Sequence, residues 1–341
     1  MKYNKALHRF SLFTVFSTFC LIVAGGLVTS TGSSLAVPDW PLAYGKVLPP
    51  MVGGILYEHS HRLIATFVGM LTIVLTVWLW RSEQRRWLKA LGIVALAAVI
   101  SQGLLGGLTV VFLLPTAISV AHATLAQTYF SIVCSIALFT SRWWQTDYPK
   151  LGVARDSSLL RLSVMTTACI FVQLILGALM RHTGSGLVVP DFPLAYGQFF
   201  PSLNPESIAQ YNRQLIDSDI RLFADGAITS SQIAIHMAHR VWALVVTIVV
   251  CTLAIRIVKS VQLPLRLKRL AYLLVGLLSV QATLGAFTVI SRKGVEITTA
   301  HVATGALILA VSVIVLFQLV RVFELRPGES LVLLSPKKAF A

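Results

Sequence analysis

The chain has 341 residues, 56% of them apolar and only 12% charged, with a mean hydropathy of +0.79. A soluble chain carries about twice that charged fraction, roughly 25%, so there are too few charges to coat soluble domains. This excludes a soluble enzyme, a disordered protein and a nucleic-acid binder that uses its net charge of +15 as a footprint. The charge must lie in loops between apolar spans, which predicts an all-α, polytopic membrane protein.

Apolar runs of the roughly 20 residues that cross a bilayer are predicted at 11–29, 60–80, 90–111, 116–140, 160–180, 233–255, 270–290 and 299–320. The first follows a short basic segment, as a signal peptide does. Its end, Ala24-Gly25-Gly26-Leu27-Val28, nevertheless runs into a loop that recurs behind an internal span, so it reads as a retained helix. Eight spans put both termini on one side. The N-terminus, the loops around Arg81–Lys89, Arg142–Arg161 and Arg256–Arg269, and the tail from Arg321 hold 20 of the 28 Lys and Arg residues. By the positive-inside rule both ends are expected in the cytoplasm. With no long Arg- and Ser-rich, acid-poor stretch before the first span, a bacterial plasma membrane is expected rather than an organelle. The four cysteines (Cys20, Cys134, Cys169, Cys251) all fall in spans and read as small packing residues rather than a disulfide or metal set.

The chain repeats itself. Thr31-Gly-Ser-Ser-Leu-Ala-Val-Pro-Asp-Trp-Pro-Leu-Ala-Tyr-Gly45 returns as Thr183-Gly-Ser-Gly-Leu-Val-Val-Pro-Asp-Phe-Pro-Leu-Ala-Tyr-Gly197, with twelve of fifteen positions identical at an offset of 152. His61-Arg62 matches His239-Arg240 at offset 178, while Gln102-x-x-Leu-Gly106 matches Gln281-x-x-Leu-Gly285 and His122 matches His301 at offset 179. The change of offset places an insertion near 203–229, polar and acidic (Glu206, Asp217, Asp219, Asp225), expected as a surface excursion. Each half, 1–150 and 151–341, therefore holds four spans. An even number keeps the copies in the same orientation, so two pseudo-symmetric four-helix bundles in parallel orientation are expected. Inverted repeats, common in transporters, are not.

Four of the eight histidines occupy matched positions: His61, His122, His239 and His301. Each lies just inside a span that enters from the outer face, within roughly 10 Å of that boundary at 1.5 Å per residue. Spans two and four of each half run the same way, so their histidines can face each other at equal depth. Ionisable groups in a bilayer default to a functional reading. One imidazole from each of two helices suits axial ligation of a haem iron, whereas a structural zinc needs four close N or S ligands. Interhelical hydrogen bonding by the histidines is the plainer alternative. Arg62 and Arg240, beside the histidines, either snorkel to the interface or pair with a haem propionate. His59 and His236 read as interfacial hydrogen-bonding groups, and His8 and His182 as solvated flanks.

The halves differ at one informative place. Glu58 precedes His61 by three residues, on the same helix face; the equivalent of Glu58 is His236. If one of two haems is a substrate, a single acid, base or charge-stabilising carboxylate beside it is sensible; otherwise Glu58 is an interfacial loop anion. Gln102, Gln173 and Gln281, each four residues before a glycine, read as bundle packing. The Pro38-Asp39-Trp40-Pro41 and Pro190-Asp191-Phe192-Pro193 loops are expected to cap the outer mouths, braced by Asp39 and Asp191.

These features together resemble the heme A synthase family. The resemblance spans nearly the whole chain: eight spans, the duplicated unit, Glu58-x-x-His61-Arg62, His122, His239-Arg240, His301 and the Pro38-Asp39-Trp40-Pro41-Leu42-x-Tyr44-Gly45 loop. It implies oxidation of the C8 methyl of haem O to a formyl group, giving haem A for terminal oxidases. It implies also that His239 and His301 hold a resident haem b (iron), while His61 and His122 embrace haem O as substrate and Glu58 assists. Haem O and the lipid bilayer are then the partners, with haem O synthase and a second copy of the chain left open and the electron acceptor unidentified. One departure stands out. Many bacterial relatives carry Cys-Pro-Asp-Trp-Pro-x-Cys in the first outer loop, where this chain has Val37 and Ala43, repeated as Val189 and Ala195. A diheme electron-transfer cytochrome and a haem-delivery protein without turnover are the competing classes.

Overall fold

Seven of the eight apolar runs fold as helices longer than the predicted stretch, and the fourth matches it at 116–140. In the computed structural model, which describes residues 3–145, 155–218, 220 and 227–323, the spans are α1 (Lys5–Ser30), α2 (Gly53–Ser82), α3 (Arg86–Val111), α4 (Thr116–Thr140), α6 (Ser157–His182), α8 (Ser230–Lys259), α9 (Leu265–Ile290) and α10 (Val295–Val322). All eight are long and apolar enough to cross a membrane. A single turn, α5 (Arg142–Gln145), follows α4, and a shorter helix, α7 (Pro205–Asp217), lies in the outer loop between α6 and α8.

Side-chain caps set the starts of three of the spans. Asn4 accepts from Leu7 N ahead of α1, and Asp156 accepts from Leu159 N ahead of α6. Thr229 and Gln232 close a reciprocal capping box at the start of α8. At their far ends α1 and α6 stop in the same way. Thr31 Oγ1 and Thr183 Oγ1 each donate to the fourth carbonyl back at 2.8 Å. Gly32 and Gly184 then take φ +70°, a left-handed turn open to glycine without cost.

The helices touch in two rings with the same order: α1–α2–α3–α4 closing on α1, and α6–α8–α9–α10 closing on α6. The rings meet through α1–α10, α4–α6 and α4–α10. Consequently α4 and α10 are the most enclosed spans. Lipid is as apolar as leucine, so close fit rather than water exclusion holds such helices together. Close fit is visible between the rings, where a Cβ on Gly26 of α1 would lie 3.3 Å from Thr299 of α10.

The insertion departs from expectation. It is not merely a surface excursion, since α7 is amphipathic and buries Tyr211 and Leu215 against Val188, Val189, Ala195, Ile228 and Ile233. Tyr211 stacks on Tyr196 at a centroid distance of 3.7 Å. Alternating acids with spaced apolar residues made the segment look solvated; Asp219 and Asp225 lie outside the described residues.

Candidate functional site

The four matched histidines share one local design. Each imidazole lies against a glycine of the preceding helix in its ring, where an added Cβ would fall 3.0–3.1 Å from Cε1. The pairs are His61 with Gly25, His122 with Gly106, His239 with Gly177 and His301 with Gly285. Any side chain at those glycines would occupy the space the ring takes. Within each half the two histidines stand on helices of one ring, His61 on α2 with His122 on α4, and His239 on α8 with His301 on α10.

Three glutamines, expected to pack and hydrogen-bond across the bundle, do so onto these rings. Gln102 Nε2 lies 3.4 Å from His122 Nε2, Gln281 Nε2 lies 3.4 Å from His301 Nε2, and Gln173 Nε2 lies 3.2 Å from His239 Nε2. The Nδ1 atoms of His61, His122 and His301 are buried without a hydrogen-bond partner. Among the described residues, no three His, Cys, Asp or Glu side chains gather closely enough to hold a metal ion. Buried imidazoles, three with an unpartnered Nδ1 and all four with room cut for the ring, fit a haem better than a chelated ion.

Both outer loops close over these mouths as caps. Asp39 accepts from Tyr44 N at 2.7 Å and Gly45 N at 2.9 Å, and Asp191 accepts from Tyr196 N at 2.8 Å and Gly197 N at 2.9 Å. Tyr44 and Tyr196 are held at φ 52° and 55°, a conformation costing about 1–2 kcal/mol for a residue with a Cβ. Their hydroxyls compensate by donating to Ala36 O, at 2.7 Å, and to Val188 O. The N–H donors of Gly45 and Tyr44, with Arg62 nearby, hold the Asp39 carboxyl below the usual carboxylate range. Trp40 reaches down onto α3, where a Cβ on Gly107 would strike its indole at 2.6 Å. Gly106 thus makes room for His122 and Gly107 for the cap.

Arg62 and Arg240 grip the caps by their carbonyls. Arg62 donates to Asp39 O, Leu42 O and Val37 O at 2.7–3.1 Å, and Arg240 to Leu194 O, Asp191 O and Val189 O at 2.7–3.3 Å. Glu58 is buried, accepting from Val37 N at 2.9 Å and from Arg62 Nη2 at 2.5 Å. His236 takes the same place in the second half. It accepts from Arg240 Nε at 2.9 Å, and its Nδ1 lies 2.8 Å from Ser185 O. His59 is buried with both ring nitrogens unpartnered. His8 and His182 are half-buried rather than solvated, because His8 meets Thr140 Oγ1 at 3.4 Å and the His182 carbonyl accepts from Thr116. Val37, Ala43, Val189 and Ala195 are all fully buried, so apolar packing occupies the loop positions where cysteines were looked for.

The fold and its paired histidines define a multi-pass, all-α membrane protein with two matched imidazole pairs. A family model described as cytochrome oxidase assembly protein, COX15-CtaA, matches residues 52–313, from the start of α2 well into α10. Heme A synthase of Alkalihalophilus pseudofirmus is 31% identical over 226 residues, covering 64% of this chain and 74% of that protein. Heme A synthase of Shewanella oneidensis is 26% identical over 318 residues, covering 87% and 91%. The chain belongs to the heme A synthase family of cytochrome oxidase assembly proteins.

Proposed function

We propose that this chain makes haem A from haem O for terminal oxidases, oxidising the C8 methyl to a formyl group, in a bacterial plasma membrane with both termini cytoplasmic. The observation that carries this reading is the unlike surroundings of two otherwise matched histidine pairs, with Glu58 beside one and His236 beside the other. The N-terminal half, 1–150, then takes haem O between His61 and His122. The C-terminal half, 151–341, keeps haem b between His239 and His301. When bound, haem b supplies one-electron redox chemistry.

The chain's own residues bind, orient and shield. The glycine-lined imidazoles would hold the haem, and the caps would keep water from the outer mouths. Glu58 is a carboxylate fixed by Val37 N and Arg62, one helical turn from His61. It sets a negative charge, or takes up a proton, beside the substrate. Arg62 and Arg240 fasten the caps and stand nearest the outer edge for a propionate. Haem O synthase as supplier, an electron acceptor and a second copy of the chain are the remaining partners on this reading.

A diheme electron-transfer protein is the second reading, favoured by one fact: both Glu58 oxygens are already engaged by the cap and Arg62. Expression with a source of haem O, followed by extraction and chromatographic separation of the haems, decides. Haem A from the wild type that drops at least tenfold in Glu58→Ala supports the synthase; unconverted haem O in both supports electron transfer or delivery.

A further inference from the structure

His61, His122, His239 and His301 share one setting with a single break in it. One turn before each cradle glycine, on the same helix face, stand Gln102 before Gly106, Gln173 before Gly177, Gln281 before Gly285, and Leu21 before Gly25. Leu21 and Gln173 are equivalent by the repeat offset of 152 that also equates Gly25 with Gly177. Beyond its ring contact, Gln102 Nε2 donates to His122 O at 2.9 Å, and Gln173 Nε2 donates to His239 O at 3.1 Å. Leu21 has no side-chain polar atom to offer His61.

The glutamines also carry something unused. Oε1 of Gln102, Gln173 and Gln281 is buried without a partner in all three. An imidazole that gives one ring nitrogen to iron carries its proton on the other, and an acceptor for that N–H fixes the ring's tautomer and orientation. Each of these amides meets its ring through Nε2 at 3.2–3.4 Å, and turned about its last bond it presents Oε1 there as such an acceptor. The side-chain amide is therefore the difference, and outer-shell partners of this kind change metal affinity by about 10–100-fold.

We propose that Leu21 makes His61 the releasable ligand of the four, so that the first pair exchanges its porphyrin while the glutamine-braced second pair retains its own. Leu21 and Gln173 act as positioning residues, through His61 and His239. The proposal rests on reading both pairs as haem sites, and it accounts for which of them turns over substrate independently of Glu58.

The test uses the full-length chain in detergent, loaded with two equivalents of haem b and mixed with excess apomyoglobin, with haem transfer followed in the Soret band. The wild type releases one equivalent at least tenfold faster than the other. Leu21→Gln slows the fast phase about tenfold and moves the low-spin resonance of that haem toward that of the retained one. Gln173→Leu speeds the slow phase by a similar factor. Each variant carries a residue that the repeat already accommodates at the equivalent place; should Leu21→Gln fail to fold, Gln173→Leu decides alone. Rates within twofold of wild type in the folded variants overturn the proposal. A wild type that binds two haems and releases both at one rate overturns it too, leaving the two-site reading intact. A wild type that takes up no haem b overturns both.

Discussion

Glu58 and Arg62 hold the two backbone polar groups of one residue, Val37. Glu58 Oε2 accepts from Val37 N at 2.9 Å while Arg62 Nη2 donates to Val37 O at 3.1 Å, and the two side chains close the clamp on each other at 2.5 Å. The clamp is nearly enclosed, with Glu58 at 5% and Arg62 at 17% side-chain exposure. Removing one partner of a fully buried pair costs about 3–5 kcal/mol, and the partial exposure of Arg62 lowers that to about 2 kcal/mol. Glu58→Ala is expected to speed amide exchange across 36–44 by about tenfold or more, measured by mass spectrometry. Glu58→Gln, which keeps an acceptor for Val37 N, is expected to protect the loop yet still lose haem A formation. A Glu58→Gln chain of full activity assigns Glu58 to the clamp alone.

The contact of Trp40 with Gly107 predicts a compensating pair. Gly107→Ala drives a methyl into the indole, an overpacking cost of about 1–3 kcal/mol, and is expected to lift the first cap. At the equivalent positions the second half has Phe192 and Ala286. Trp40→Phe in the Gly107→Ala background is therefore expected to restore most of the lost protection. A double-mutant cycle on exchange rates measures the coupling, and additivity of the two changes excludes it.

Glycines along the spans are expected to divide sharply by what lies beside them. Gly177→Ala puts a carbon 3.1 Å from His239 Cε1 and is expected to lower haem bound per chain, read from the Soret band and total iron. Gly276→Ala meets nothing within 4 Å and is expected to leave haem content unchanged, with helix propensity gaining up to about 1 kcal/mol. Equal losses from both substitutions place the glycines in general packing.

Asp39 gives the first cap a defined acid limit. Its carboxyl is held below the ordinary range by Gly45 N–H and Tyr44 N–H, with the Arg62 charge adding to them. A carboxyl depressed on folding stabilises above its unfolded value, about 3.9, and loses that contribution as pH falls through the folded one. The cap is thus expected to stay shut across neutral pH and to loosen only below about pH 4. Trp40 emission, taken as the difference between wild type and Trp40→Phe, reports the opening. Asp39→Asn is expected to remove the acid transition.

The spans, the repeat and the matched histidines were readable because each is carried by residue type and spacing alone. So were Asp39 and Asp191 as braces, since a Pro-Asp-aromatic-Pro turn leaves few other acceptors for its own N–H groups. What spacing did not carry was partnership across helices. Gln102, Gln173 and Gln281 looked like packing because the rotation that turns them onto histidines is set by tertiary contact. Leu21, the fourth member of that series, lacks the side chain that marks the others; only alignment of Gly25 with Gly177 exposes it. Helix α7 was missed for a related reason: its apolar face is short, and Tyr211 and Leu215 have meaning only against Tyr196 and Val189.

A tandem duplication often leaves two units joined by little more than their linker, whereas these two rings share a packed seam. Helices α4 and α10 each belong to one ring while leaning on the other, and each supplies one histidine to its own pair. Separating the two halves would therefore uncover the two most enclosed spans of the molecule at once.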